Sequence, residues 1–157
     1  MNIYPEFRLV KINSVRALMK DNSIDLLVLG PGTHLRWLLG FSPPQDERPS
    51  MLLIGKEKEI FLIPSVNAED VRRKTDIKIN IWKDERGPDQ ALKEALLYID
   101  ESSAKHIAID EAMRAHFALI VIDALPNPTH EFTGSTIGAL RMRKDQTEFI
   151  NLKENAL

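Results

Sequence analysis

Three short stretches hold residue types that could do chemistry. "GPGTHL" (30–35) follows an apolar run and has the look of a turn that cradles phosphate. The dinucleotide fingerprint needs a third glycine where Leu35 stands, and the Gly-Lys-Ser/Thr of a P-loop is missing, so it reads as a plain strand-ending turn. "HIAIDEAMRAH" (106–116) offers His106, Asp110, Glu111 and His116 as metal ligands. In a strand His106 and Asp110 share a face but stand about 13 Å apart at roughly 3.3 Å per residue, so no single ion spans them. There is no His-Glu-x-x-His and no second carboxylate cluster at ligand spacing. The pair therefore reads as an edge histidine and a strand-end aspartate. "GSTIG" (134–138) presents Ser135 and Thr136, but the serine directly follows the glycine, which is not a nucleophile elbow. Helix capping suits these hydroxyls better. None of the three stretches makes a catalytic set.

One longer stretch, 31–49 ("PGTHLRWLLGFSPPQDERP"), concentrates polar and aromatic residues between two apolar runs. Its prolines argue for an irregular segment, and long loops in compact domains are often functional. Thr33, His34, Arg36, Trp37 and Phe41 fall in its first half, and Asp46, Glu47 and Arg48 in its second. Two readings stand side by side. Trp37, Leu38 and Phe41 could be satellite core with the charges in water. Alternatively the segment binds a ligand or a partner protein, because aromatic and arginine side chains are the usual anchors of interfaces.

Alternating element types must position these residues. A helix is predicted over 5–21, with Pro5 at its start and Ile12, Val15, Leu18 and Met19 on one face. "IDLLVLG" (24–30) reads as a strand buried on both faces. "SMLLIG" (50–55) and "EIFLIP" (59–64) flank Lys56, Glu57 and Lys58 as a hairpin. A short helix from a cap at Asn67, a strand over 77–82 closed by Trp82 and a helix over 87–102 follow. Then come a strand over 106–110, a helix over 111–125, a short strand over 129–132 and a helical stretch over 134–143. This order predicts a three-layer α/β domain, a mixed β-sheet flanked by helices. Over 145–157 an amphipathic helix is predicted, started by Asp145 and Glu148 at capping-box spacing.

Bulk properties narrow the classes. The chain has 157 residues, 43% hydrophobic and 28% charged, which suits one well-buried domain. A net charge of −2 and a pI near 6.1 give no general attraction to nucleic acid or anionic membrane. The basic run "VRRKTDIK" is offset by nearby acids and reads as a solvated face. With no cysteine, disulfides, thiolate metal sites and a cysteine nucleophile are excluded. No signal-peptide core or run of transmembrane length occurs, and we expect a cytoplasmic protein.

The ordering of motifs resembles the creatinase/prolidase N-terminal domain. The helix leading into "SIDLLVLGPGTHLRWLLGF" is similar to that domain's opening, with "WLLGF" (37–41) standing where "YLTGF"-like segments occur. "SMLLIGKEKEIFLIP" resembles its next two strands, "HIAIDEAM" its "IGID"-type strand, and "LRMRKDQTEFINLKENAL" its "lR.iKs..Ei..lr.Aa" junction. The resemblance implies a ribonuclease-H-like fold over 1–143, and in 144–157 the start of a linker helix into a C-terminal catalytic domain. In Xaa-Pro dipeptidases and aminopeptidases P that pita-bread domain carries two divalent metal ions (Mn, Co or Zn) on Asp, Asp, His, Glu and Glu ligands, none of which can be matched here. It further implies a homodimer, a proline-containing peptide substrate for the full-length hydrolase, and a non-catalytic role for this portion. Segment 33–48 then sits where the family's loop makes dimer contacts or walls a neighbouring active site. The alternatives are the N-terminal domain of a creatinase-like amidinohydrolase, a non-enzymatic pita-bread relative, and a free-standing binding module.

Overall fold

The structure is a computed structural model that describes residues 5–143 together with Lys153 and Glu154. The predicted terminal helix, apart from the helical and exposed Lys153 and Glu154, lies outside the described residues.

Helix α1 (Pro5–Asp21) turns Ile12, Val15 and Met19 inward, spaced by three and four residues along one face. Strand β1 (Leu26–Leu29) is buried throughout, as its unbroken apolar run requires. Strands β2 (Met51–Ile54) and β3 (Glu59–Pro64) form the predicted hairpin. They are followed by α3 (Ser65–Lys74), β4 (Ile79–Trp82), α4 (Asp89–Tyr98), β5 (His106–Ile109), α5 (Ala115–Ala124) and β6 (Thr129–Glu131). A 3₁₀ turn, Thr133–Ser135, then leads into a helix over 137–143.

Three local readings need correction. Segment 31–49 is not irregular throughout, because Thr33–Leu39 forms a helix, α2. It ends at Gly40, whose φ of 83° lies in the left-handed region and whose N–H donates to the Arg36 carbonyl. That explains the glycine of "WLLGF": a residue with a Cβ would be strained at this helix end. Helix α3 starts two residues before the expected Asn67 cap, directly after Pro64 in an extended conformation. Glu111 is not helical, since α5 begins only at Ala115.

The six strands lie in the order β4-β3-β2-β1-β5-β6, and only β2 runs against its neighbours. The step from β3 to β4 moves outward in one direction, and that from β5 to β6 in the other. Right-handed crossovers then require α3 and α5 on opposite faces. That is where they are. Leu27, Leu29, Leu52, Ile54, Phe61 and Ile63 face a core closed by α1, α2, α3 and Ile137. The alternate residues Leu26, Val28, Met51, Leu53, Ile60 and Leu62 face α4 and α5. The period-two split of fully apolar strands is thus what builds three layers.

Candidate functional site

Parallel neighbours β1 and β5 end side by side, and the helices after them, α2 and α5, belong to opposite layers. In open α/β sheets this is the switch point at which crevices form. Here the chain narrows the crevice to a cleft of about 210 Å³ lined by Pro31, Gln45, Asp46, Ala112, Met113 and Phe117. Gly30 lies so near Met113 that an added Cβ would stand 2.5 Å from the Met113 Cβ. Asp110, at the end of β5, accepts hydrogen bonds from Gly30 N–H (3.2 Å) and Ala112 N–H (2.9 Å).

Above this plug, four elements meet through side chains. His34 of α2 is 5% exposed, and its Nε2 lies 2.7 Å from a Glu111 carboxylate oxygen. Arg141 Nη1 donates to His34 Nδ1 and to Thr33 Oγ1, each at 3.1 Å. An arginine can only donate, so Nδ1 carries the lone pair and Nε2–H faces Glu111. Thr133 donates to Glu111 through both its N–H (3.1 Å) and its hydroxyl (2.8 Å). Partial burial raises the Glu111 carboxyl, but the donors from His34 and Thr133 outweigh it and hold the group down at about 2. Burial pushes Asp110 the other way, above the ordinary carboxylate value, against the two N–H groups it accepts.

His34, Asp110 and Glu111 present ligand atoms within 4.8 Å of one another. They do not fit a metal site. Asp110 is engaged by two backbone donors, Glu111 by three donors, and the outer nitrogen of His34 by a guanidinium whose charge would repel a cation. The cluster is chemically a bolt, fastening α2, the β5–α5 turn and the 3₁₀ turn to the 137–143 helix.

The remaining predicted residues of the segment divide between core and surface. Trp37 is half-buried against the core, its carbonyl accepts from Lys11 Nζ (2.6 Å), and that ammonium lies 4.8 Å from the ring centroid. Phe41 is half-buried too, its ring 6.2 Å from that of Phe61. Arg36 is exposed. Asp46 accepts from Arg48 N–H (2.9 Å) and from Asn67 Nδ2 (3.2 Å). Arg48 also reaches the exposed Asp84 (3.1 Å), and the exposed Glu47 offers its carbonyl to His116 (3.2 Å). The structure therefore joins Thr33 and His34 to one cluster and holds Asp46, Glu47 and Arg48 in a separate one.

His106 is not the edge histidine expected: it opens β5, an inner strand between β1 and β6, and its ring is placed by Thr129 (2.7 Å) and Glu131 (2.9 Å) of β6. Ser135 donates to Glu131 and Thr136 to the Thr133 carbonyl (3.3 Å), so neither makes the expected cap contact. The order serine, carboxylate, histidine is also wrong for nucleophile activation, which needs the histidine in the middle. Thr133 and Arg141 were not singled out in the sequence. Topology signals only the meeting of His34 with Glu111: two parallel strands, each ending in a polar turn, bring "GTH" beside "DE" once β1 pairs with β5.

The description that matches this chain is that of the creatinase/prolidase N-terminal domain, over residues 11–143. No curated protein matches it. Among solved structures, a dipeptidase from Pyrococcus horikoshii OT3 is similar at 26% identity and a TM-score of 0.71. That likeness covers 84% of this chain and 36% of the other, so this chain spans about a third of that relative's length. A proline dipeptidase structure from Streptococcus pneumoniae is 18% identical, with a TM-score of 0.72 over 85% of this chain and 96% of the other. A prolidase from Thermococcus sibiricus is 17% identical, with a TM-score of 0.69 over 82% and 35%. With most of the described residues inside the match and the same mixed sheet in these relatives, the chain belongs to the creatinase/prolidase N-terminal domain family.

Proposed function

We propose that this chain is the non-catalytic N-terminal domain of a metal-dependent Xaa-Pro dipeptidase or aminopeptidase, and that it contributes to dimerisation and to access at the active site. The observation that carries this is its likeness to about a third of a dipeptidase, at 26% identity across 84% of its own length. The described cluster of His34, Asp110 and Glu111 is saturated by internal donors, so hydrolysis belongs to a following domain on this reading. Two divalent metal ions (Mn, Co or Zn) on that domain's Asp, Asp, His, Glu and Glu ligands would activate water and polarise the carbonyl before proline. This chain's part is to hold segment 33–48 against a second copy of the enzyme, with the exposed Arg36 and the half-buried Trp37 beside it. Among the described residues no helix is long and apolar enough to cross a membrane, and a cytoplasmic setting accords with the cysteine-free sequence.

The test is to extend the reading frame past Leu157, purify the longer product, and assay Xaa-Pro dipeptides with and without Mn²⁺, Co²⁺ and Zn²⁺ after chelation. Metal-dependent cleavage by the longer protein and none by the 157-residue chain is expected. Hydrolysis of creatine instead, or five ligand positions lacking their acids and histidine, would overturn the peptidase assignment. Sedimentation of the longer protein with Trp37→Ala or Arg36→Ala checks the dimer role. An unchanged dimer constant and unchanged turnover would remove segment 33–48 from it.

A further inference from the structure

We propose that Arg141 is a positioning residue that locks the 137–143 helix to the start of α2, and so fixes the direction in which the chain leaves this domain. The inference rests on the reading that a second domain follows, but its geometry lies wholly in this chain. One guanidinium nitrogen serves two acceptors on adjacent residues of α2, Thr33 Oγ1 and His34 Nδ1, across more than a hundred residues of sequence. The far side of His34 is anchored by Glu111, and Glu111 is anchored by Thr133 at the root of the same helix. Arg141 and the turn at Thr133 therefore both hold the helix.

The packing underneath leaves little freedom. Ile137 is fully buried in the α1–α2–α3 core, and a Cβ on Gly138 would stand 2.8 Å from the Thr133 carbonyl oxygen. Glycine at 138 thus lets the helix sit directly on the turn that grips Glu111. Beyond that first turn the apolar hold weakens. Leu140 is half-buried and Met142 is 63% exposed, so hydrogen bonding from Arg141 adds restraint where hydrophobic packing fades. Rotation of the helix about its base would break both Arg141 contacts together, because they share one nitrogen. Segment 33–48, through the start of α2, and the 137–143 helix then move as one body. In the longer enzyme this lock would set where that segment stands relative to the catalytic domain.

The absence of cysteine allows a direct measurement. Nitroxide labels are placed at Leu119→Cys on α5 and Met142→Cys, both more than half exposed, and their separation is read by pulsed dipolar spectroscopy. The parent should give one narrow distance distribution. Loss of charge-assisted hydrogen bonds in Arg141→Met should raise the undocked population about tenfold and broaden the distribution. Arg141→Lys should restore part of the narrow peak, and Thr33→Val, an exposed site, should broaden it slightly. Lys93→Met, which removes a surface cation from α4, should leave it unchanged. Parent-like distributions for Arg141→Met would overturn the proposal. If that variant fails to fold by circular dichroism, parent-like distributions for both Arg141→Lys and Thr33→Val would do the same. None of these readouts needs peptidase activity, so failure of the functional assignment would leave them intact.

Discussion

The β1–β5 pair is clamped at both ends by an aspartate that accepts two backbone N–H groups, yet the two clamps differ in character. Before β1, Asp25 takes the N–H groups of Lys105 (2.8 Å) and His106 (3.2 Å). After β5, Asp110 takes those of Gly30 and Ala112. Asp25 borders an open cleft of about 510 Å³ and meets Lys56 Nζ at 3.0 Å. Asp110 is buried at 3% exposure with no cation on its oxygens among the described residues. The same ligation therefore gives opposite outcomes. Burial raises Asp25, but the N–H of Lys105 and the Lys56 ammonium outweigh it, and the group ends below its ordinary value. Asp110 ends above it. Deeper burial outweighs the two N–H donors at Asp110, whereas at the less buried Asp25 the same kind of donors prevail with the Lys56 ammonium added.

Breaking each clamp should show the largest contrast. Asp110→Ala leaves two N–H groups at a dry site and is expected to cost about 3 kcal/mol, against about half that for Asp25→Ala, where water can enter. Urea midpoints at constant slope would measure both, and equal losses would refute the distinction. Gly30→Ala drives a methyl into Met113 beside the dry clamp and should cost about 2 kcal/mol. Gly40→Ala, with open space around it, should show only the strain of its left-handed backbone, about 1 kcal/mol.

The pH response should separate the clamps by sign. Asp25, lowered, contributes stability that is full above its unfolded value of 3.8 and is lost as pH falls through its folded value. Glu111 behaves alike over the window from 4.5 down to about 2. Asp110, raised, binds its proton more tightly when folded, so its own contribution grows less favourable as pH rises through 3.8 and above. Asp25→Asn should flatten the acid limb of a stability–pH curve, and Asp110→Asn should steepen it. Slopes that change in the same direction would count against this assignment. The smallest effect is expected for Lys56→Ala, about 0.5 kcal/mol, because its side chain is 61% exposed and its pairs are partly screened. Most of that change should vanish in 1 M salt.

The strands were legible in the sequence because each is a short apolar run bounded by polar turns, and burial on both faces leaves little else for "DLLVL" or "IFLI" to do. Helix α2 was hidden by prolines on both sides of "THLRWLL" and by a glycine that ends a helix as readily as it marks a loop. His34 and Glu111 were each visible as isolated candidates. Their meeting was not, since it depends on which parallel strand lies beside β1, and the strand after β4 could have been added at either edge. The rejection of a site built from His106 and Asp110 survives, because distance along a strand is a local property that tertiary structure does not alter.

The sheet order has a consequence for how this domain assembles. β2 and β3 are joined by a four-residue turn and can pair as soon as both exist, whereas β1 meets β5 only after about eighty intervening residues have been placed. Pulse-labelled hydrogen exchange during refolding should therefore protect the amides of 52–54 and 60–62 before those of 107–109. A chain emerging from the ribosome would hold a finished hairpin and an unfinished neighbour for β1, with the partners of His34 arriving only after the first five of the six strands that make its sheet.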